Sequence, residues 1–153
     1  MTFPDFEEFF ASLNAHRVRF LVVGGYAVGF HARPRATKDV DVLVDRTLSN
    51  ARRTLLAISS FLGSAPANLT AEKLTSPRAM LVLGVAPVRI DILTSIDGVG
   101  TFASLWRRRV PARYGGTAVC FISRTDLIDS KRAAGRPQDL ADVVALERAG
   151  RRR

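Results

Sequence analysis

The segment that most constrains the fold of this chain is Asp39-Val40-Asp41-Val42-Leu43-Val44, in which two acids interrupt an apolar run. Successive side chains of a strand point to opposite faces, so Asp39 and Asp41 share one face while the three valines occupy the other. Two neighbouring carboxylates repel each other, and burying them unpaired costs free energy or raises a pKa. The segment therefore predicts a strand with an apolar face and an acidic face that binds a divalent cation.

A third acid, Asp91, lies in a similar setting within the apolar segment 88–93. On a strand it would share a face with Arg89 and Leu93, while the other three residues point to the core. If this strand neighbours the first one, the three acids form a site for Mg²⁺, with Mn²⁺ as an alternative, because such ions take oxygen ligands. A three-carboxylate site can hold two metals, one for an attacking oxygen and one for a triphosphate. The predicted metal ligands are Asp39, Asp41 and Asp91.

Each acid also has a simpler structural explanation, and Asp-x-Asp is a common pattern. The alternatives are a turn cap for Asp39, a pair with Arg35 or Lys38 for Asp41, and a pair with Arg89 for Asp91. Three acids inside apolar strands, with a glycine pair upstream, favour a shared site over three separate explanations.

The glycine pair Gly24-Gly25 follows the apolar run 19–23, which reads as a buried strand, and precedes a short helix over 26–31. Glycine lets a backbone approach a ligand closely, and the N–H groups at a helix N-terminus favour phosphate. A glycine pair alone is more often a simple turn. The thirteen residues that separate it from Asp39 are what make the pattern specific.

Basic and polar residues near these features are candidate contacts of a nucleotide. Arg35, Thr37 and Lys38 lead into the acidic strand and can contact phosphate or ribose, or belong to a solvated loop. Lys131, on a predicted helix, can neutralise charge on a departing pyrophosphate, or be an ordinary exposed helix residue. Asp139 shares a helix face with an acid three residues later, and it also suits the positive end of the helix dipole.

The remaining pattern predicts an α/β chain of the α+β type, with a mixed β-sheet flanked by helices. The length fits one domain over 1–153, with a core of about 16–123 and C-terminal helices over about 124–150. Helices are predicted over 3–15, 26–31, from a cap at Ser49 or Asn50 to 62, 102–108, 124–134 and 137–148. Strands are predicted over 19–23, 40–44, 78–83, 88–93 and 117–122, with 84–87 as a hairpin turn between the third and the fourth.

Composition points to a cytoplasmic protein with an anionic partner. Early acids exclude a signal peptide, no apolar run reaches membrane-spanning length, and a single cysteine cannot form an internal disulfide. The formal net charge is +9, and residues 104–153 hold twelve Lys or Arg against five Asp or Glu. That balance predicts a polyanionic partner such as RNA, and charge by itself does not separate RNA from a nucleoside triphosphate. The alternative is compositional bias, since only three of the 23 basic residues are lysine.

The order of these motifs resembles the minimal nucleotidyltransferases of the polymerase-beta-like superfamily. The resemblance is carried by Gly24-Gly25-Tyr26-Ala27-Val28, by Arg35-x-Thr37-Lys38-Asp39-Val40-Asp41 and by Arg89-Ile90-Asp91-Ile92-Leu93. The ending Asp126-Leu127-Ile128-x-Ser130-Lys131-Arg132-x-x-Gly135-Arg136-Pro137-x-Asp139-Leu140-x-Asp142 resembles the AbiE and MenT type toxins of toxin–antitoxin systems. The chain departs from that pattern in having Gly25 where many members have serine, and in being shorter.

The resemblance implies Mg²⁺ held by Asp39 and Asp41, with Asp91 as a third ligand or base. It implies Lys131 near the phosphates of a nucleoside triphosphate (NTP) and Asp139 in a fourth motif. It also implies a tRNA or protein acceptor and a cognate antitoxin. Two other hypotheses remain: a catalytically inactive module that binds RNA or an antitoxin, and nucleotide transfer to a small molecule such as an aminoglycoside.

Overall fold

A computed structural model describes residues 3–34, 37, 39–85 and 88–152 of the chain. The helices are α1 (Pro4–Ala15), α2 (Gly24–His31), α3 (Leu48–Leu62), α4 (Phe102–Arg107), α5 (Arg124–Ala134) and α6 (Pro137–Arg151), with a 3₁₀ turn at Glu72–Thr75. The strands are β1 (Phe20–Val23), β2 (Asp39–Val44), β3 (Met80–Val85), β4 (Val88–Leu93), β5 (Val110–Tyr114) and β6 (Thr117–Phe121).

The described strands form one sheet in the order β3-β4-β2-β1-β6-β5. Pairing is antiparallel for β1 with β2, β3 with β4, and β5 with β6, and it is parallel for β1 with β6 and β2 with β4. The sheet is therefore mixed, and helices flank it, as the sequence predicts. The turn predicted over 84–87 lies partly outside the described residues, but the strands on either side of it do pair as a hairpin.

The core forms where apolar faces of helices meet the sheet. Four side chains of α1, spaced at helical intervals, are almost fully buried: Phe6, Phe9, Phe10 and Leu13. All four residues of β1 are buried, because this strand lies inside the sheet. Helix α1 packs against α3 and β6, while α2 packs against α5 and α6. The buried β1 thus carries the chain directly to the start of α2.

Strand β5 was absent from the sequence prediction. It lies at the edge of the sheet and pairs on one side with β6, from Val110 opposite Phe121 to Tyr114 opposite Thr117. Its Pro111 lacks an N–H to donate, which an edge strand tolerates. Because proline is uncommon in strands, its presence argues against predicting a strand from the sequence. A stabilising partner strand, rather than local preference, makes this segment extended.

Several element boundaries differ from the prediction. Strand β3 covers 80–85 rather than 78–83, so Gly84 and Val85 belong to the strand and not to the turn, and α6 continues to Arg151 rather than ending at 148. Helix α2 begins at Gly24, two residues before the expected start.

Helix α3 is capped by Thr47, whose side chain accepts from the Asn50 backbone N–H, so the predicted caps at Ser49 or Asn50 were wrong. Asn50 is instead fully buried, and its side-chain amide donates to the backbone oxygens of Arg19 and Asp45. No helix in the described part of the chain has both the length and the apolar character needed to cross a bilayer.

Candidate active site

The parallel pairing of β2 with β4 brings the acids of the two strands together. Asp41 lies directly opposite Asp91, and Asp39 lies opposite Arg89. Residues opposite each other in a sheet share a face, so all three carboxylates and one guanidinium project from the same side. The sequence analysis assumed that the strand of Asp91 neighbours the strand of Asp39 and Asp41, and the pairing of β2 with β4 confirms this.

These side chains line a cleft of about 650 Å³. Every predicted site residue within the described ranges lines it: Gly24, Gly25, Thr37, Asp39, Asp41, Asp91, Lys131 and Asp139. Arg35 and Lys38 lie outside the described residues. Further polar residues in the lining were not predicted as site residues, although Ser130 and Arg136 belong to the motif that carries the resemblance: Ser95, Asp97, Ser130, Arg136 and Gln138. Of these, Arg136 had a sequence signal, since it directly precedes the proline that starts α6.

Asp41 is a largely buried carboxyl beside two other acids, Asp39 and Asp91. Burial, reinforced by the nearby Asp91 and Asp39 carboxylates, raises the pKa of Asp41 from 3.8 to about 7, while the Lys131 ammonium opposes the shift. Removal of the carboxylate from water and crowding by like charges both disfavour the charged form. Ionisation of Asp41 is therefore unfavourable in this site, and a cation bound nearby would favour it.

Arg89 partly supplies that positive charge. Its Nε donates to Asp91 Oδ1 at 2.9 Å and its Nη2 donates to Asp91 Oδ2 at 3.1 Å, while Nε lies 4.0 Å from Asp39 Oδ2. The two-pronged contact with Asp91 raises the pKa of Arg89, so the guanidinium stays charged. The simpler pairing considered for Asp91 is therefore present, and it coexists with the acidic cluster.

The carboxylates of the cleft are the type of oxygen donor that suits Mg²⁺, but Arg89 already occupies one of the three. Asp39 and Asp41 line the cleft with carboxylate oxygens of the kind that Mg²⁺ takes, and the raised pKa of Asp41 means that nearby positive charge would favour its ionised form. Both oxygens of Asp91 are engaged by Arg89. Consistent with this, no three His, Cys, Asp or Glu side chains in the described ranges are arranged to hold a metal ion. The arrangement therefore fits two carboxylate ligands, Asp39 and Asp41, while Arg89 occupies Asp91.

Gly24 has a defined structural reason to be glycine. Its φ is +66°, and a Cβ added there would lie 2.1 Å from Oδ2 of Asp41. The backbone at the start of α2 thus lies directly against the acidic strand, which a side chain would prevent. The first N–H groups of α2 lack partners within the helix, so they are suited to an anion in the cleft.

Lys131 is held at the cleft wall by two acids of α6. Its Nζ lies 3.2 Å from Asp139 Oδ1 and 3.1 Å from Asp142 Oδ2, and its side chain is only 11% exposed. Asp139 and Asp142 are themselves buried. The alternative of Lys131 as an ordinary exposed helix residue was therefore wrong. Sequence reasoning placed the two acids on one helix face but did not include Asp142 in the site.

Asp139 also has the structural role considered for it. It accepts from the Arg136 backbone N–H at 3.2 Å and from Arg136 Nε at 2.7 Å, as part of a capping box at the start of α6. These hydrogen bonds and the charge of Lys131 outweigh burial and hold the pKa of Asp139 below its usual value. One carboxylate thus caps α6 and orients the lysine at the cleft.

Neither a protein-family model nor a curated protein sequence matches the chain. Among solved structures, the chain is similar to the solution structure of the antibiotic-resistance factor ANT(2'')-Ia, a nucleotidyltransferase. The similarity covers 95% of this chain and 80% of that chain, with a TM-score of 0.56 and 15% sequence identity. The shared feature is the fold, a mixed six-stranded sheet flanked by helices.

Proposed function

We propose that this protein is a metal-dependent nucleotidyltransferase, which moves a nucleoside monophosphate from an NTP to an acceptor hydroxyl. The observation that carries the proposal is the meeting of Asp39, Asp41 and Asp91 on one face of the sheet, beside the N-terminus of α2. Such a face both demands a divalent cation and adjoins N–H groups that suit phosphate. The fold shared with a nucleotidyltransferase supports the same proposal.

In this proposal the triphosphate lies against Gly24 and Gly25, where the free N–H groups of α2 donate to phosphate oxygens. Asp39 and Asp41 would hold Mg²⁺, with Mn²⁺ as an alternative, and the ion would supply Lewis-acid polarisation of those oxygens. Thr37, which lines the cleft, contributes a hydroxyl at its edge. The chain itself therefore contributes the donors and the carboxylates that orient the nucleotide.

The transfer step forms one bond and breaks one. An acceptor hydroxyl oxygen attacks the α-phosphorus, the bond from that phosphorus to the bridging oxygen of the β-phosphate breaks, and pyrophosphate leaves. Asp91, once Arg89 releases one of its oxygens, orients the hydroxyl and takes its proton. Lys131, oriented by Asp139 and Asp142, stabilises the charge that develops on pyrophosphate.

For the acceptor we propose RNA, in particular tRNA, with the chain acting as the toxin of a toxin–antitoxin pair. The supports are the resemblance of the motifs to AbiE and MenT type toxins and the basic C-terminal half. A cognate antitoxin would be a second protein partner. The biological role is tested by expressing the chain in cells with and without the product of the neighbouring reading frame.

A catalytically inactive module is the second candidate, because Arg89 engages both oxygens of Asp91. In that case the guanidinium would replace the cation permanently, and the chain would bind RNA or an antitoxin without chemistry. Calorimetric titration with Mg²⁺ and NTP separates the two, since the enzyme must bind both and the module need bind neither.

The direct test incubates the protein with labelled NTPs, Mg²⁺ and total tRNA. The expected result is label transfer that depends on Mg²⁺ and is lost in Asp41→Asn but kept in Asp129→Asn, a matched change at an exposed acid of α5. Parallel incubations with a protein extract and with aminoglycosides test the other acceptors. Absence of transfer to all three, from a folded protein that binds neither Mg²⁺ nor NTP, would refute the proposal.

A further inference from the structure

A second concave surface lies outside the cleft, between the end of α2 and α6. We call it the arginine groove, after the three arginines in its lining, and its volume is about 170 Å³. Its lining consists of small or apolar residues and three arginines: Ala32, Arg33, Ala141, Val144, Ala145, Arg148, Ala149 and Arg152. None of these lining residues is acidic.

The spacing of residues along α6 explains the shape of the groove. Ala141, Ala145 and Ala149 recur at intervals of four and therefore share one helix face, where their short side chains leave room for a ligand. Arg148 and Arg152 are also four apart, so they stand one helical turn from each other. Both are exposed, as is Arg33 on the opposite wall.

The charge of the groove is not neutralised by the acid nearest to it along α6. Glu147 forms ion pairs with Arg132, on α5, and with Arg151, at 3.7 Å, and it is absent from the lining. The guanidinium groups of Arg33, Arg148 and Arg152 therefore face a groove without a carboxylate in its wall. Such a surface complements a ligand that carries repeated negative charge.

The groove and the cleft share the same two helices. Helix α2 begins in the cleft at Gly24 and ends beside the groove, and α6 begins in the cleft with Gln138 and then forms the groove floor from Ala141 onward. At a rise of about 1.5 Å per residue, Arg148 lies roughly 15 Å along the α6 axis from Gln138. A flexible polymer whose end enters the cleft can therefore reach the groove.

We propose that the arginine groove binds the phosphates of a single RNA strand whose end is the acceptor in the cleft. Arginine forms two-pronged hydrogen bonds with phosphate, and the separation of Arg148 from Arg152 is comparable with that of neighbouring phosphates along a strand. Val144 and the alanine floor offer apolar surface to ribose or base. The inference rests on the proposed function, because it assigns the acceptor class of that same site.

An RNA strand fits these observations better than an acidic protein does. The floor is shallow and made of alanine, so it offers no deep pocket for the large side chains that anchor protein interfaces. Repeated phosphates along a strand supply negative charge at every step, and they can contact three exposed arginines, one just after α2 and two at the end of α6. An acidic protein partner is therefore treated as an outcome that would contradict the proposal.

The test compares two double variants of equal charge. Arg148→Gln/Arg152→Gln removes the α6 side of the groove, and Arg52→Gln/Arg107→Gln removes two exposed arginines from α3 and α4. Fluorescence anisotropy measures binding of a labelled single-stranded RNA between 50 and 200 mM KCl, with EDTA present. The groove variant is expected to bind about tenfold more weakly, with a salt slope smaller by about 1.4, because each phosphate contact contributes about 0.7. The control is expected to bind within about twofold of the unchanged protein.

Equal weakening in both double variants would overturn the proposal, since it would mean that net charge alone attracts RNA. Displacement of the RNA by polyglutamate at equal charge concentration would also overturn it, in favour of a surface for an acidic protein. The proposed function is judged separately by nucleotide transfer. RNA binding that needs the groove, without any transfer, would leave the groove standing and refute the enzyme. If the groove variant transfers nucleotide to tRNA as fast as the unchanged protein, the proposed enzyme stands and the role of the groove is refuted.

Discussion

Replacing Asp41 with asparagine should make the protein more stable at alkaline pH while abolishing any activity of the site. Asparagine keeps the size of the side chain and removes its charge. In the folded protein, burial and the neighbouring acids raise the pKa of Asp41 from 3.8 to about 7. Between those values the folded state holds a proton that the unfolded state has released. The free energy of unfolding must therefore fall as pH rises through this window.

The size of the effect follows from the two pKa values. Each pH unit between 3.8 and about 7 is worth about 1.4 kcal/mol, which sets a ceiling of about 4 kcal/mol. Asp41 keeps some contact with solvent, so the realised value should be smaller. From pH 5 to pH 8, we expect the stability of Asp41→Asn relative to the unchanged protein to increase by about 2–3 kcal/mol.

The assay is urea denaturation at several pH values from 5 to 8, in EDTA, followed by circular dichroism. Asp129→Asn is the control for the substitution itself, because it makes the same chemical change at an exposed acid. A stability difference between Asp41→Asn and the unchanged protein that stays constant from pH 5 to pH 8, within about 0.5 kcal/mol, would refute the electrostatic reasoning.

Three further predictions concern the groups around the acids. Gly24→Ala should lower the free energy of unfolding by about 2–4 kcal/mol in urea denaturation, since the new Cβ meets Asp41. The control is Gly63→Ala, where φ is +83° and nothing lies within 4 Å of the new Cβ, so only the backbone cost of about 1 kcal/mol is expected. Lys131→Met should destabilise by about 1.5–3 kcal/mol, because two buried carboxylates lose their shared ammonium while Arg136 still pairs with Asp139, and a cost below about 0.5 kcal/mol would contradict the ion pairs. Arg89→Gln should tighten Mn²⁺ binding about tenfold in calorimetry by releasing Asp91, and unchanged or weaker binding would show that Arg89 does not compete with the metal.

Local patterns in the sequence determined most of the secondary structure. The boundaries of α5 follow from its own residues, since Ser123 caps its start and Gly135, in the left-handed conformation, ends it. Alternation within 39–44 likewise predicts that Asp39 and Asp41 share a face, because side-chain direction along a strand repeats every two residues. These features depend on neighbours in the chain and can be read without a fold.

Other features depend on partners far away in the sequence. Strand β5 is extended because β6 pairs with it, and Thr47 rather than Asn50 caps α3 because buried Asn50 bonds to the backbone of Arg19 and Asp45. No local preference signals these contacts.

The division is clearest in the site itself. The sequence by itself singled out the candidate site residues, which are the acids inside apolar strands, the glycine pair and the lysine, and all of them line one cleft. Only the tertiary structure decided that Asp41 faces Asp91 across a parallel pair, and that Asp142 joins Asp139 in holding Lys131. The physical reason is that chemical identity and strand periodicity are properties of a segment. Strand pairing and charge partnership are set by packing between segments distant in the chain.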